Sequence, residues 1–585
     1  MNVISNPAEL ASIKSLGQIQ QCIDKRHSFR LEAGAGAGKT YSLIESLKYI
    51  IKNKSAELGD KRIACITYTN IAKDEILNRT DNNPLIYADT IHAFCWELIQ
   101  PFQANLRNII ADLNNRWREK VQISPIDNHQ IKYDLGVMKL TDTEVFLHHD
   151  DVTKCMSKLL QLPKFQKNLK SKFPIIFIDE YQDTDKDLAN SLINSLIEND
   201  SGVLVGFFGD HWQKIYGKNA CGLVNSPSGK IVEIEKNANF RSDKNIVGCL
   251  NRIRNELPQN EYDPTSQGII KIFHSNNWNG ERLTANHWQG DLPKEVAKNF
   301  IDQVKIRMLQ DGWDLSNSGR TKILFLTNNL IATEQGFKNL ADCFKYSDDY
   351  LKKNDPYIKF FLDILEPSIL AFNEKNFGNV FQILGRKNLN LKCQSDKRKW
   401  AKHFDELTNI RKTLTIKDCL DKIKKANILA LPTSIQRIET KLAELLVKPP
   451  EEKTQKDIEF QDKYSAFQAI TYDEVIQLGE YIDEKTPFST KHGVKGAEYD
   501  NVLVIFGRGW NQYDWEKLLL WMKNGVPIGQ EETFEKYRNL FYVCCSRAKH
   551  NLTLLFTQLL SEDSINKLKE IFGPENVLGE PFIFS

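Results

Sequence analysis

The sequence has no C-x-x-C pair, no long apolar run and almost no net charge. Its 11 cysteines are scattered and odd in number, which excludes a disulfide framework and offers no zinc spacing. Reduced thiols, as in a cytosol, are the expectation. The histidines are dispersed too, so no metal cluster is predicted. No apolar stretch approaches the roughly 20 residues that a membrane helix needs, and Met1–Leu10 lacks the basic-then-apolar pattern of a secretion signal. A cytoplasmic protein with no membrane partner is expected. A formal net charge of +2 gives no global sign of a nucleic-acid binder, so any such surface must be local. Tandem repeats, low-complexity tracts and nuclease motifs are all missing. At 585 residues the chain is too long for one core, and three or four domains are expected.

What is present begins with Leu31-Glu-Ala-Gly-Ala-Gly-Ala-Gly-Lys-Thr-Tyr41. A strand-like run precedes it, and Tyr41 to Ile51 follows with apolar residues at helical spacing (Leu43, Ile44, Leu47, Ile50, Ile51). Strand, glycine-rich turn and helix in that order is the context of a phosphate-binding loop. Glycines let backbone N–H groups turn toward an anion, and the new helix points its positive end at the same place. Lys39 would reach the β and γ phosphates of ATP, and Thr40 would offer its hydroxyl to Mg²⁺. The competing reading is a glycine-rich turn with no ligand. Upstream, Asn2 to Asp24 reads as a helix carrying Gln20, whose amide can both donate to and accept from an adenine.

The second signal is Phe173-Pro-Ile-Ile-Phe-Ile-Asp-Glu-Tyr-Gln-Asp-Thr184, an apolar strand ending abruptly in two acids. Asp179 would hold Mg²⁺ and Glu180 would deprotonate the attacking water; the alternative is that they are structural. Ile63–Asn70 and Tyr87–Phe94 each run from strand to helix through a polar turn, at Thr69-Asn70 and Thr90-Ile-His92. Ligands bind there in open parallel sheets, although Thr and Asn also cap helices. Val203–Asp210 is a further strand leading to Gln213, placed to sense a γ-phosphate. A strand from Ile231 ends at a turn bearing Arg241.

Other stretches differ in texture. Phe102–Lys170 reads as mostly helical and interrupts the strand–helix alternation. Tyr350–Leu446 reads as nearly all helical, with a basic cluster from Arg386 to Lys425 and Trp400 and Phe404 among the charges. That mixture suits phosphate and base contact or, equally, a solvated helical face. Lys448–Asp457 is a polar break that reads as a linker or long loop. Tyr537–Ala548 reads as a helix with Leu540, Phe541 and Cys544 on one side.

The ordered set of motifs resembles the UvrD/Rep/PcrA family of superfamily 1 DNA helicases. The matching runs are Leu16–Gln20, Ala33–Thr40, Thr67–Asn70, Thr90–His92, Asp179–Asp183, Gly209–Gly217, Asn239–Ser242, Thr490–Tyr499 and Arg538–Ala548. That family also opens its phosphate loop with alanine, as Ala33 does here. The resemblance implies an α/β fold of two RecA-like parallel-sheet motor domains, each with a mostly helical insertion. The expected bounds are 1–100 with 171–240 (domain 1A), 101–170 (insertion 1B), 241–345 with 485–585 (domain 2A) and 346–484 (insertion 2B). ATP would lie against Gln20, Ala33, Gly34, Ala35, Gly36, Ala37, Gly38, Lys39, Thr40, Tyr41, Phe240 and Glu498. Phe240 would stack on adenine. Glu180, Asp179, Gln213, Arg241 and Arg547 would be catalytic, with Thr40 and Asp179 on Mg²⁺. Single-stranded or end-containing DNA would meet Tyr68, Asn70, Thr90, His92, Tyr216, Thr490, His492 and Lys495.

One departure bears on activity. After Gly217 the family carries an aromatic–arginine pair, where this chain has Lys218-Asn-Ala220. Small insertions also make the chain similar to the helicase-like subunit of the Gabija antiphage system, which acts with an OLD-like nuclease. The resemblance implies a DNA-stimulated ATPase that translocates 3′ to 5′. The alternatives are a DNA-end or nucleotide sensor within a nuclease complex, and a metabolic phosphate-loop kinase.

Overall fold

The computed structural model describes residues 6–134, 138–215, 219–285, 288–325, 328–385, 393–426, 429–483, 485–490, 496–508 and 513–579. The chain divides into two units, Met1–Lys305 with Val494–Ser585, and Ile306–Gly493. Among the described residues no helix is long and apolar enough to cross a membrane.

The first unit opens with helix α1 (Pro7–Lys25), strand β1 (Phe29–Ala33) and helix α2 (Lys39–Leu58). Then come β2 (Ile63–Thr67), α3 (Asn70–Arg79), β3 (Ile86–Thr90) and α4 (Ile91–Ile99). After an insertion the alternation resumes with β7 (Ile175–Asp179), β8 (Leu204–Gly209) and β9 (Val232–Lys236). These strands form one sheet in the order β3-β2-β7-β8-β1-β9, every neighbouring pair parallel. β1, β2, β7 and β8 are buried along their whole length. That is why they read as unbroken apolar runs and not as alternating ones. The register pairs Glu32 with Gly209 and Asp179 with Phe208. The turns after β1, β7 and β8 therefore leave the sheet at one level, on its carboxyl edge.

The insertion holds the helices α5 (Gln103–Ile110), α6 (Asn115–Ile123), α7 (His149–Leu159) and α8 (Pro163–Lys172). It also holds a small sheet that the helical reading missed, in which β6 (Glu144–Phe146) lies between β4 (Gln130–Lys132) and β5 (Lys139–Leu140). Strands of two and three residues are too short for periodicity to register. Phe94, Trp117, Met156, Phe165 and Phe173 share one core with Ile176 and Phe207 of the large sheet. The opposite face is closed by Ile19 of α1 and Leu43 and Leu47 of α2.

Past β9 the first unit continues with β10 (Ala238–Asn239), helix α10 (Lys244–Ile253), preceded in the chain by α9 (Lys186–Leu192), then β11 (Asn260–Glu261) and β12 (Ile269–His274). The second unit contributes a parallel pair, β13 (Thr321–Phe325) and β14 (Phe488–Thr490). Between them its chain is nearly all helical, as expected. Its basic, aromatic stretch corrects one expectation. Phe404 is fully buried and Trp400 nearly so. Their rings stack 5.9 Å apart, and Phe404 stacks on Phe372 at 4.8 Å. These aromatics fill the core and are not offered to bases; Arg386, Lys387 and Lys392 lie outside the described residues. The polar break at Lys448–Asp457 includes a helical turn, Pro450–Glu452, and the start of the helix Gln455–Ala469.

The first unit ends with β15 (Tyr499–Phe506), the helix Glu531–Cys545, β16 (Ala548–Phe556) and β17 (Val577–Gly579). Here β16 lies between β15 and β12, and β17 flanks β12, all parallel. The expected helix Tyr537–Ala548 ends instead at Cys545, and the expectation of one apolar side understates its burial. From Asn539 to Cys545 every residue is buried, Cys544 and Cys545 completely. The α/β class and the large parallel sheet are as expected.

Candidate active site

The phosphate loop follows from β1 and α2. Gly36 and Gly38 adopt φ of 76° and 75°, the left-handed region that L side chains avoid. Gly36 is also crowded, because a Cβ there would lie 2.8 Å from Arg241 Cβ and 2.8 Å from Asn239 Oδ1. No side chain caps the start of α2, and its first turn contains no acid. The amides of that turn are thus left for an anion, with Lys39 at the first helical position.

The two acids close β7. Asp179 is buried, and its Oδ1 has no hydrogen-bond partner. Burial pushes its carboxyl up, the neighbouring Glu180 pushes further in the same direction, and Lys39 opposes both. Glu180 itself has φ 48°, a left-handed conformation that costs on the order of 1–3 kcal/mol in a non-glycine residue. It stands 4.0 Å from Lys39 Nζ and accepts from Gln182 Nε2 at 2.5 Å. The orphaned, buried Asp179 oxygen fits a divalent cation, which would supply the missing partner.

Residues from far along the chain meet the same loop. The amide of Phe240 donates to Gly36 O at 2.9 Å. Its ring is 40 % exposed and lies 5.6 Å from that of Tyr262. Lys236 Nζ sits 5.5 Å from the ring centre of Tyr41 and 5.8 Å from that of Phe240. Burial lowers the Lys236 pKa to about 8. α1, with half-buried Gln20, packs along β9 and β10 beside them.

Arg241 Nε donates to Glu498 Oε2 at 3.0 Å, and its Nη1 donates to Ser546 O at 2.9 Å. Lys549 reaches the other oxygen of Glu498 at 2.9 Å. Burial pushes the Glu498 carboxyl up, but its bonds to Lys549 and Arg241 outweigh that and leave it below the ordinary range. Arg547 is buried and bonds Val543 O at 3.0 Å, Ala497 O at 3.3 Å and Ser546 Oγ at 3.0 Å. Burial first, and the adjacent Arg241 second, lower its pKa to about 9, while the charge of Glu180 partly counteracts them. Buried Gln213 donates from Nε2 to Asp210 Oδ2 at 2.8 Å.

The structure adds residues that the sequence did not flag. Arg254, at the end of α10, is buried and bonds Asp210 Oδ1 at 2.6 Å. Its Nη2 lies 3.5 Å from Glu32, and the guanidinium sits 5.2 Å over Trp212 and 5.7 Å over Tyr542. The Tyr542 hydroxyl in turn accepts the loop amide of Ala35 at 3.1 Å. Gln259 and Asn239 both donate to Ala35 O at 3.1 Å. Glu32, Asp210 and His211 are the one trio among the described residues whose ligand atoms converge as if for a metal. The Arg254 guanidinium between both carboxylates already supplies the positive charge. No local signal marks Arg254: an arginine at a helix end reads as surface.

On the DNA side the placements are mixed. Tyr68 is partly exposed and its hydroxyl donates to Asp183 O. Asn70 opens α3, whose cap is Thr69, accepting from Ala72 N at 3.2 Å. Thr90 precedes α4 without making a side-chain cap bond. His92 is half-buried; burial, then His149, lowers its pKa. Thr490 closes β14 in the second unit. Tyr216, His492 and Lys495 lie outside the described residues.

Two family models match the chain: an AAA domain over residues 18–219 and a UvrD-like helicase C-terminal domain over residues 328–558. Residues 328–558 are of the UvrD-like helicase type. Gabija protein GajB of Bacillus cereus strain HuB5-5 is 27 % identical to it over 96 % of this chain and 97 % of that protein. A second Gabija protein GajB, from strain VD045, is 27 % identical over 40 % of this chain and 48 % of its own length. The ATP-dependent DNA helicase PcrA of Staphylococcus aureus strain Mu50 is 23 % identical over 56 % of this chain and 48 % of PcrA.

Proposed function

We propose that this UvrD-like chain is a DNA-dependent ATPase that moves 3′ to 5′ along single-stranded DNA and opens duplex, in antiphage defence or DNA repair. One observation supports the reading: Arg241 stands against Gly36 of the loop that bears Lys39, Lys39 lies 4.0 Å from Glu180, and Arg547 is near enough to Arg241 and Glu180 to feel their charge. A single nucleotide is then gripped by a lysine and acids from early in the chain and by guanidinium groups from much later. The reading includes two motor domains, 1–100 with 171–240 and 241–345 with 485–585, and insertions at 101–170 and 346–484.

In the proposed reaction Gln20 and Phe240 hold adenine, Glu498 faces the nucleotide, and the amides from Gly34 to Thr40 cradle the phosphates. Mg²⁺ bound by Thr40 and Asp179 would neutralise phosphate charge. Glu180 takes a proton from water as its oxygen bonds the γ-phosphorus, and the bond to the β-phosphate oxygen breaks, leaving ADP and phosphate. Charge on the γ-phosphoryl oxygens in the transition state is met by Lys39, Arg241 and Arg547. Gln213 reports the γ-phosphate to the DNA side, where Tyr68, Asn70, Thr90, His92, Tyr216, Thr490, His492 and Lys495 meet the strand. The test is ATP turnover with and without single-stranded DNA. A severalfold or greater stimulation is expected, and turnover indifferent to DNA rejects the motor in favour of a kinase-like role.

A second reading is supported by the match to a Gabija protein across nearly the whole chain and by Lys218-Asn-Ala220 after Gly217. Here the chain senses DNA ends or nucleotide within a complex that includes an OLD-like nuclease, and unwinds little. Strand displacement by the purified chain separates the two, because robust unwinding without a partner eliminates the sensor. Co-purification of a nuclease is the complementary measurement.

A further inference from the structure

Beside Thr90 and His92 lies a group of rings that no motif accounts for. His92 meets His149 at 5.2 Å, His149 meets Tyr133 at 5.5 Å and His148 at 5.7 Å, and Tyr133 meets Trp96 at 5.9 Å. The rings are inclined to one another by 55° to 76°, so none is closed by face-to-face stacking. They come from three elements: the first turns of α4, the chain leaving β4, and the start of α7. Trp96 and Tyr133 rest one side against the core that fully buries Phe94 and Trp117. Here His148 and His149 are exposed, and His92, Trp96 and Tyr133 are partly so. The Tyr133 hydroxyl and His149 Nδ1 bond each other, which fixes both rings.

The surroundings suit a nucleic-acid strand. A groove lined by Asn114, Arg116, His148, Asp150, Asp151 and Lys154 adjoins the ledge, and its Arg116 and Lys154 offer donors to phosphate. Of the two acids there, Asp151 is engaged and Asp150 is exposed to solvent. Asp151 accepts from Trp117 Nε1 at 2.8 Å and from the His148 amide at 3.1 Å, and Asp150 lies 3.5 Å from His148. The imidazole nitrogens are not gathered as a metal trio would be.

We propose that Trp96, Tyr133, His148 and His149 form a base-stacking ledge that carries single-stranded DNA from Thr90 and His92 onto the 101–170 insertion. It supplies stacking surface in a chain that lacks the aromatic–arginine pair after Gly217. The ledge rests on the DNA-motor reading given above. Every base has a π face, so the contact is indifferent to sequence, and each stack lost weakens binding by ~1–3 kcal/mol, or about 5- to 150-fold.

The experiment measures affinity for a fluorescently labelled dT oligomer, without nucleotide, for wild type, the double variant Y133A/H149A, and His149→Phe. The double variant is expected to bind at least fivefold more weakly with unchanged DNA-free ATP turnover, and His149→Phe is expected to stay near wild type. Wild-type affinity in a folded double variant overturns the ledge while leaving the motor standing. Wild-type protein that binds no dT oligomer removes both. Should the double variant not fold, photo-crosslinking of bromodeoxyuridine-substituted strands to the wild-type chain decides. Adducts on peptides carrying Trp96, Tyr133 or His148–His149 support the ledge, and adducts confined to other peptides reject it.

Discussion

The two faces of the phosphate-loop crevice are held in opposite ways. On the lysine face, Asp179 keeps a buried oxygen with no hydrogen-bond partner, and Lys39 stands a loose 4.0 Å from Glu180. On the arginine face, Arg241 and Arg547 are tied to Glu498 and to the carbonyls of Val543, Ala497 and Ser546. If nucleotide binds as proposed, the lysine face gains a partner for Asp179, whereas the arginine face exchanges internal bonds for phosphate contacts. Both carry the cost of buried charge, with Asp179 pushed up and Arg547 pushed down to about 9. On the proposed function a polyanion with its cation would relieve both shifts together, and the arginine face is the one expected to move.

The largest effect that can break this comparison is on turnover. Lys39→Ala and Glu180→Gln are each expected to lower DNA-stimulated ATP hydrolysis by ~10³-fold or more. Arg241→Lys, which keeps the charge and loses the fork, is expected to cost a similar ~10³-fold in turnover with little loss of nucleotide binding. Steady-state turnover and nucleotide titration on the same proteins check all three. If Arg241→Lys hydrolyses ATP like wild type, the arginine face has no part in the chemistry.

The next effect is on stability. Arg254→Met leaves Asp210 buried without its ion-pair partner, while Glu32 keeps Arg30 at 3.7 Å and His211 at 3.1 Å, and the change is expected to destabilise the fold by ~3–5 kcal/mol. Adding Asp210→Asn to it is expected to recover part of that loss. Thermal unfolding midpoints of the two proteins measure this. A double variant no more stable than Arg254→Met refutes the pairing as the source of the loss.

The two faces also differ in how much of them a reader of the sequence could find. Lys39, Thr40, Asp179 and Glu180 are set by contiguous strand–turn–helix chemistry, so composition and spacing point to them directly. Arg241, Glu498 and Arg547 acquire their positions from contacts more than 200 residues away in sequence for Arg241 with Glu498, and only the ordered resemblance to helicases singled them out. Arg254 was invisible for the same reason: nothing in Asn251-Arg-Ile-Arg254 says that one arginine turns inward to a carboxylate 44 positions earlier. Trp400 and Phe404 misled because interleaved charge and aromatics look alike whether the rings face bases or a helical core. The short strands β4 to β6 fell below the length at which a period exists.

A smaller effect sharpens the lysine face. Lys236 is fully buried beneath the loop and donates to Ser42 Oγ at 2.7 Å and Gly38 O at 3.2 Å. Its folded pKa, about 8, is depressed below the ordinary 10.5. Between those values the unfolded chain holds the proton and the native one does not, so this residue makes stability rise with pH from about 8 to 10.5 and lowers it below. The full span amounts to no more than about 3 kcal/mol. The expected outcome is a rise of the unfolding midpoint of wild type relative to Lys236→Met across that window. Parallel pH profiles for the two proteins contradict it.

The smallest effect probes how the faces are joined. Tyr542, on the arginine-side helix, accepts the Ala35 amide of the phosphate loop at 3.1 Å through a hydroxyl that is wholly buried. Tyr542→Phe removes that one acceptor and keeps the ring against Trp212, whose centre lies 5.5 Å away. A neutral hydrogen bond of this kind is worth about 1 kcal/mol net. The variant is expected to lose about that much stability and to bind nucleotide up to about fivefold more weakly, since the loop is then less firmly set for the phosphates. Calorimetric titration with a non-hydrolysable ATP analogue measures the second quantity and differential scanning the first. Weaker folding with unaltered nucleotide affinity means that the loop keeps its shape without the helix, and the two faces then sense one another through charge alone.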